Sequence, residues 1–383
     1  MSAERKQTTR RCAPALTPAL APALAPALAP ALARALGGLA LAASCGIAAC
    51  GGEESPPPPD ETPRQCDTAA YVAFDSANHT NQDLRLGAFA QMVTEMSAAA
   101  ATPFSTATAQ AKFDEARRLY ENTAELRAKV QSRVDDHFAA KPPVGMELDR
   151  TIIAALDAGR TATTALAAGV AKQRVEKTLT RFFFLSVYRE MIGGNAENWD
   201  EAYGYYGAPS DNAEANRKGL ASIATKRDAT NGTSLSTEIF NAIVDGSCEL
   251  AKALRAGATE QLDWQSVAAL KSRVELADRK LVEVLAYSAG HEAFEMVELQ
   301  AALASEPSAR DEMWIKLAEL DPYFGAIEDL IDAKGGASAA RARQIRQDID
   351  AAWADPSGAW TTAFPAGRIL EDLEAELGID IRG

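Results

Sequence analysis

From Asp83 onward the chain consists largely of helix-forming residues, and this bias limits the folds open to it. Alanine, leucine, glutamate and arginine dominate, whereas runs of alternating β-branched residues are absent. Prolines and paired glycines, such as Pro142-Pro143 and Gly193-Gly194, cut the sequence into long blocks and are typical helix ends. Long helices with short connections usually pack antiparallel. The sequence therefore predicts an all-α fold of two tandem antiparallel helical bundles.

These breaks predict where each helix begins and ends. A loop near 228–234 is expected to divide the helical domain, residues 70–383, into its two bundles, and Ala70–Phe74 reads as a short strand-like lead-in. Pro307, Pro322, Gly335-Gly336 and Pro356 should separate shorter helices near the C-terminus. The expected helices cover about 84–102, 105–139, 147–192 with an interruption near Gly169, a short one over 195–207, and then 212–227, 234–257 and 262–304.

The N-terminal segment is typical of an exported lipoprotein. A basic start and a Pro-Ala-Leu-Ala repeat precede the apolar run Ala35–Ala49, which is too short to span a bilayer and ends at Cys50. We expect 1–49 to be a lipoprotein signal peptide, Cys50 to be lipidated, and the acidic, proline-rich segment 50–69 to be a tether. Because Gly51 rather than an acidic residue follows Cys50, we expect an outer-membrane lipoprotein on the periplasmic or cell-surface face.

Charge excludes one class of partner. Without residues 1–49, which hold five basic residues and one acidic residue, the chain has 34 basic against 52 acidic side chains, a formal charge of −18. Such a chain lacks the positive surface that nucleic acids require. Anionic lipid would also repel it, so attachment to the membrane should rest on the acyl anchor.

Two cysteines besides Cys50 belong to the expected exported part, Cys66 and Cys248. An oxidising compartment permits a disulfide between them. Two unrelated buried thiols are the alternative, and the sequence does not decide between them.

One candidate site lies in the aromatic segment 181–207. Phe182, Phe183 and Phe184 begin a stretch that is apolar on all sides, so its helix should be central. An acidic and aromatic motif follows, and its candidate ligand-binding residues are Trp199, Asp200, Glu201 and Tyr203. Aromatic rings beside acids can form a binding pocket. They can equally form a packed corner, which we favour from sequence alone.

A second candidate site lies in the longest helix. His291 and Glu295 are four residues apart and share a face, while Glu292 points toward the apolar side. A histidine and a carboxylate one turn apart can bind a transition metal such as iron or zinc. Alternatively the acids are neutralised internally, with Arg181, Arg189, Arg279 and Lys280 the nearest basic residues in sequence. His79 and His137 have no obvious partners in the sequence. No nucleophile elbow, Walker loop, dinucleotide fingerprint or zincin motif is present. These observations disfavour an enzyme.

Four motifs together resemble a known family. They are Tyr71–Phe74, the turn from Asn81 to Leu86, NWDEAYGYYGAP at 198–209 and GHEAFEM at 290–296. In this order they resemble the bacterial lipoprotein family described as domain of unknown function 4856, which is similar to imelysin-like proteins. The resemblance implies two tandem helical bundles and a periplasmic or surface role in iron or other metal uptake.

The resemblance also carries departures and alternatives. His291 and Glu295 are one residue further apart than in the imelysin-like motif, and Asn198 stands where related chains often have histidine. We expect Asp200 and Glu201 to converge with His291 and Glu295 between the bundles. The function expected is a lipid-anchored binding protein for a metal or metal-bearing ligand, with an outer-membrane uptake receptor as partner. A metal-dependent peptidase-like hydrolase, or a structural or interaction lipoprotein without a small-molecule site, are the alternatives.

Overall fold

The computed structural model describes Cys66 and residues 71–207, 219–258 and 261–381. The predicted signal peptide, lipidation at Cys50 and most of the tether lie outside these described residues. All regular structure in the described part is helical, which confirms the all-α prediction, and Tyr71–Phe74 forms no strand. The described residues all belong to one compact unit.

Twelve α-helices make up the described part of the chain. Short 3₁₀ turns at Trp264–Ser266 and Ala359–Thr362 lie between some of them. In chain order the helices are α1 Thr80–Ala99, α2 Thr106–Asn122, α3 Leu126–Gln131, α4 Gly145–Arg160, α5 Ala165–Ile192, α6 Ala196–Tyr206, α7 Gly219–Asn231, α8 Leu235–Arg255, α9 Ala268–Ala302, α10 Ala309–Asp332, α11 Gly336–Ala354 and α12 Ala366–Leu377.

Two predicted helices are interrupted at positions that the sequence pattern did not indicate. The expected helix 105–139 ends at Asn122, because Ala124 and Glu125 adopt positive φ angles of 46° and 56°. The expected helix 147–192 is interrupted at 161–164 rather than near Gly169. Thr164 caps the new start, accepting a hydrogen bond from the Ala167 N–H.

The double glycine ends α5 as predicted. Gly194 has a φ of +69°, and a Cβ there would lie 2.0 Å from the carbonyl oxygen of Leu262. Glycine therefore provides both the left-handed conformation and the space for this close approach. The Leu262 N–H donates back to the Gly194 carbonyl at 3.0 Å.

Helix α5 is the centre of the fold, as its aromatic run predicted. Phe182, Phe183 and Phe184 are consecutive and all fully buried, so neighbours must cover this helix on every side. It packs against α1, α4, α6 and α10. Burial of three phenylalanines is worth roughly 5–9 kcal/mol of transfer free energy.

Helix α10 runs through a residue expected to end it. Pro322 lies inside α10, where it removes one backbone hydrogen bond. Packing of α10 against both α5 and α9 gives tertiary contacts that can outweigh this local cost. Since α10 also joins helices on either side of 228–234, the division into two bundles stays a prediction.

In the part of the chain that the structure describes, no helix is both long enough and apolar enough to cross a membrane.

Candidate functional site

A lysine lies among the acidic residues of the predicted metal site. His291 Nε2 is 3.0 Å from Glu295 Oε1 across one turn of α9. Lys316, from α10, places its Nζ 3.1 Å from Glu292 Oε2 and also forms an ion pair with Glu295. The predicted trio is thus brought together, and its counter-charge comes from a residue that the sequence did not single out.

This arrangement shifts the pKa values of its members. The hydrogen bond from His291, together with Lys316, lowers the pKa of Glu295 to about 2 despite partial burial. Burial opposes the charge on Lys316, but the surrounding carboxylates raise the pKa of its ammonium well above the usual value. Lys316 is therefore a permanent cation at neutral pH.

The charge network continues inward to α5. Burial, together with charge repulsion from Glu292 and a hydrogen bond shared with it, raises the pKa of Glu319 to about 7. Lys177 lies 5.4 Å above the ring of Tyr323 and pairs with Glu176 at 2.6 Å. Three helices, α5, α9 and α10, are thus joined by alternating acids and lysines.

The residues present do not fit a bare metal ion. No three His, Cys, Asp or Glu side chains in the described residues are close enough to hold one. Lys316 already makes the contacts with Glu292 and Glu295 that a bound cation would make. The structure thus matches internal neutralisation, although the cation is Lys316 rather than a basic residue considered from sequence. Of those, Arg181 faces Asp329 at 3.7 Å, Arg189 pairs with Asp136, and Lys280 pairs with Glu238 and Glu283.

An acidic pocket adjoins this network. Its volume is about 340 Å³. Three carboxylates line it, those of Glu295, Glu298 and Glu312, against the one ammonium of Lys316. The unbalanced negative charge favours positively charged ligands over anions.

Asp200 fastens the segment before α1 to the core. Its side chain is fully buried and accepts hydrogen bonds from the Tyr71 hydroxyl at 2.8 Å and from the N–H groups of Phe74 and Asp75 at 3.0 Å. Asn78 donates to the same carboxylate at 2.9 Å. Four donors compensate the burial of one charge, so Asp200 acts as a clamp on 71–78.

The other residues of this motif support the same packed corner. Tyr203 stacks on Tyr71 with ring centroids 4.0 Å apart. Trp199 is fully buried against Gly246, where a Cβ would lie 2.2 Å from the indole. Glu201 is partly exposed. Two of the motifs that carry the family resemblance, near Tyr71 and near Asp200, are therefore in direct contact.

The expected convergence of the two motifs is not seen in the described residues. Asp200 binds the segment 71–78, whereas His291 binds Glu295, which also pairs with Lys316.

Cys66 and Cys248 form a disulfide in the structure, with sulfurs 2.12 Å apart. The bridge joins the end of the predicted tether to α8. Of the two alternatives left open by the sequence, the structure contains the pair.

His137 is a titratable centre that the sequence did not reveal. Its ring lies between two carboxylates, with Nδ1 2.6 Å from Asp135 and Nε2 3.0 Å from Asp278 of α9, and it stacks on Tyr188 at 3.9 Å. Burial lowers its pKa, but both carboxylates outweigh burial and raise the pKa to about 9. Asp278 is 141 residues away in sequence, so only the fold identifies the partner.

Comparison with known proteins found no matching family model, no similar curated protein and no similar solved structure. The resemblance to the lipoprotein family therefore stays a prediction.

Proposed function

We propose that this chain is an exported, lipid-anchored protein that binds a cationic, metal-bearing ligand and acts in its uptake. The acidic pocket beside His291 carries the proposal. Glu295, Glu298 and Glu312 face one lysine there, in a chain whose expected exported part has a formal charge of −18. The lipoprotein motif at Cys50 supplies the anchoring part.

The expected mode is electrostatic binding of an intact complex. Because Lys316 already neutralises Glu292 and Glu295, carboxylates such as Glu298 and Glu312 are left to contact the ligand. These would bind a metal through its existing ligand shell rather than through direct coordination. A pocket of about 340 Å³ is within the size range of small-molecule sites.

Hexamminecobalt(III) tests this mode, since its ammine shell does not exchange for carboxylates. Titration calorimetry with the purified protein should show binding that weakens with added salt. The double variant Glu298→Gln/Glu312→Gln should bind at least fivefold more weakly. Glu197→Gln, an exposed acid on α6, makes a single charge change elsewhere and should bind like wild type.

Two results would count against the proposal. The first is no binding of the complex by wild type at low salt. The second is equal binding by wild type and the double variant. Either result would favour a structural or interaction lipoprotein, the second candidate, which the internal satisfaction of Asp200 by Tyr71, Phe74, Asp75 and Asn78 supports.

A further inference from the structure

A second cavity, unrelated to the acidic pocket, lies between α4, α5, α10 and α11. Its volume is about 480 Å³, and arginines and carboxylates both line it. Each helix contributes residues spaced three, four or seven apart, such as Arg174 and Arg181 of α5, so one face of each helix borders the cavity.

The third arginine of this cavity is already neutralised. Arg346 donates from Nη1 to Asp321 at 2.6 Å and from Nε to Glu328 at 2.8 Å. Its charge and its hydrogen bonds are satisfied within the protein, so it leaves the other two arginines as the groups available to a ligand.

Arg174 and Arg181 keep donors unpaired. The Nε of each is buried and has no hydrogen-bond partner in the structure. Arg174 makes no ion pair in the described residues; its guanidinium lies over the ring of Trp353 at 4.9 Å. Arg181 reaches Asp329 only at 3.7 Å, beyond a good hydrogen bond. Neither guanidinium is thus fully neutralised within the protein, and the parts of both side chains that border the cavity are available to a ligand carboxylate.

Gly325 keeps the space beside Arg181 and Arg346 open. A Cβ on Gly325 would lie 3.2 Å from Nη2 of Arg346 and 3.6 Å from Nη1 of Arg181. Arg346 and Arg181 therefore approach the same point of α10, where a Cβ would crowd Arg346 and contact Arg181. An anionic group placed there would contact Arg181 directly.

The cavity also offers free negative charge. Glu147 of α4 lines it and makes no ion pair with any described residue, and Asp350 of α11 reaches Arg346 only at 3.8 Å. A purely anionic ligand would be repelled by these acids. A ligand with a positive group as well would pair with both sets of charges.

We propose that this cavity binds a zwitterion of amino-acid or dipeptide size, with its carboxylate on Arg174 and Arg181 and its ammonium toward Glu147 and Asp350. The volume suits such a ligand. Guanidinium groups recognise carboxylates through paired hydrogen bonds. The proposal does not depend on the cation pocket, since the two cavities share no lining residue.

Calorimetry with four dipeptides, Ala-Ala, Ala-Lys, Ala-Glu and Ala-Phe, tests the proposal on the purified protein. At least one should bind with a Kd below 1 mM, and its N-acetyl and C-terminal amide derivatives should each bind at least tenfold more weakly. Quenching or enhancement of tryptophan fluorescence should accompany binding, because Trp353 stacks on Arg174.

Arg174→Gln should weaken binding of the same dipeptide at least tenfold. Arg343→Gln provides the matched control, since this exposed arginine of α11 pairs with Asp332 away from the cavity. Thermal melting checks that both variants fold. As a second check, Arg174→Lys, which retains the charge, should bind the dipeptide more tightly than Arg174→Gln. Absence of dipeptide binding, equal binding by folded Arg174→Gln, or equal binding of the blocked derivatives would overturn the proposal.

Discussion

Lys316 shows how one side chain can determine the state of a whole acidic cluster. It contacts Glu292 and Glu295 of α9 and lies 3.9 Å from Glu319 of its own helix. A sequence search for metal ligands finds the acids, because their spacing lies within one helix. It misses the lysine, because which residue of α10 faces α9 depends on how the two helices cross.

Replacing Lys316 by methionine should destabilise the fold by about 3 kcal/mol, since buried carboxylates lose their counter-charge. The loss should be larger at pH 8 than at pH 5, because at pH 5 Glu319, whose pKa is raised to about 7, takes up a proton and relieves the repulsion. Urea unfolding at both pH values measures this. Lys252→Met, at an exposed pair with Glu249, should change stability by less than 0.5 kcal/mol, on the order expected for surface sites.

The protonated His137 stabilises the folded state, and this stabilisation is lost at alkaline pH. Its pKa is raised to about 9 in the folded protein against about 6.5 in an unfolded chain. The stabilisation is therefore fully present below pH 6.5 and is lost as pH rises through 9. NMR titration of the imidazole should give a midpoint near 9.

Asp278→Asn should lower that midpoint and flatten the fall in stability between pH 6.5 and 9, because one of the two carboxylates facing His137 is removed. Asp245→Asn, at an exposed pair with Arg273, is the matched control and should leave both measurements unchanged. A His137 midpoint near 6.5 in wild type would contradict this account.

At the scale of elements, the sequence predicted best what depends on local chemistry. The aromatic run of α5 and the glycine stop after Ile192 appear where expected, and the long helix α9 does too, except that it begins at Ala268 rather than near Leu262. The break at Ala124 and Glu125 was missed, because neither residue favours the positive φ that it adopts. Pro322 was misread for the opposite reason, since tertiary packing maintains α10 through it.

The candidate sites were predicted only in part, for the same reason. Sequence identified Asp200 and Glu295 as unusual, but their partners Tyr71 and Lys316 lie on other elements. Pairing across elements requires the fold. The cavity bordered by Arg174 was not anticipated, because its four walls are far apart in sequence.

The clamp on the lead-in segment can be tested at this scale. Asp200→Asn presents an NH₂ group to donors that need an acceptor, so the segment 71–78 should loosen. Amide hydrogen exchange at Phe74 and Asp75 should accelerate at least tenfold. Glu201→Gln, the next residue of α6, should leave exchange there unchanged. Unaltered protection in Asp200→Asn would show that the segment is held by other contacts.

For the whole molecule, the lipid anchor is the most consequential prediction. Cys50→Ser should prevent acylation and move the protein from the membrane fraction to the soluble fraction. The reason is that the acyl chains on Cys50 are the proposed attachment, and the chain's negative charge disfavours adsorption to anionic lipid. Fractionation followed by immunoblotting measures the distribution. Continued sedimentation of the variant with membranes would contradict lipidation at Cys50.

The disulfide between Cys66 and Cys248 has a mechanical consequence for a protein anchored in this way. The chain from Cys50 to Cys66 can extend at most about 55 Å, so the helical body would stay within that reach of the lipid. Any force applied along this tether would be transmitted to the helical domain at Cys248, in the middle of α8. The hydrogen bonds that hold Tyr71–Asn78 to Asp200 would lie behind the bridge and carry no load. A partner could thus exert force on the membrane-anchored protein without detaching α1 from the rest of the fold.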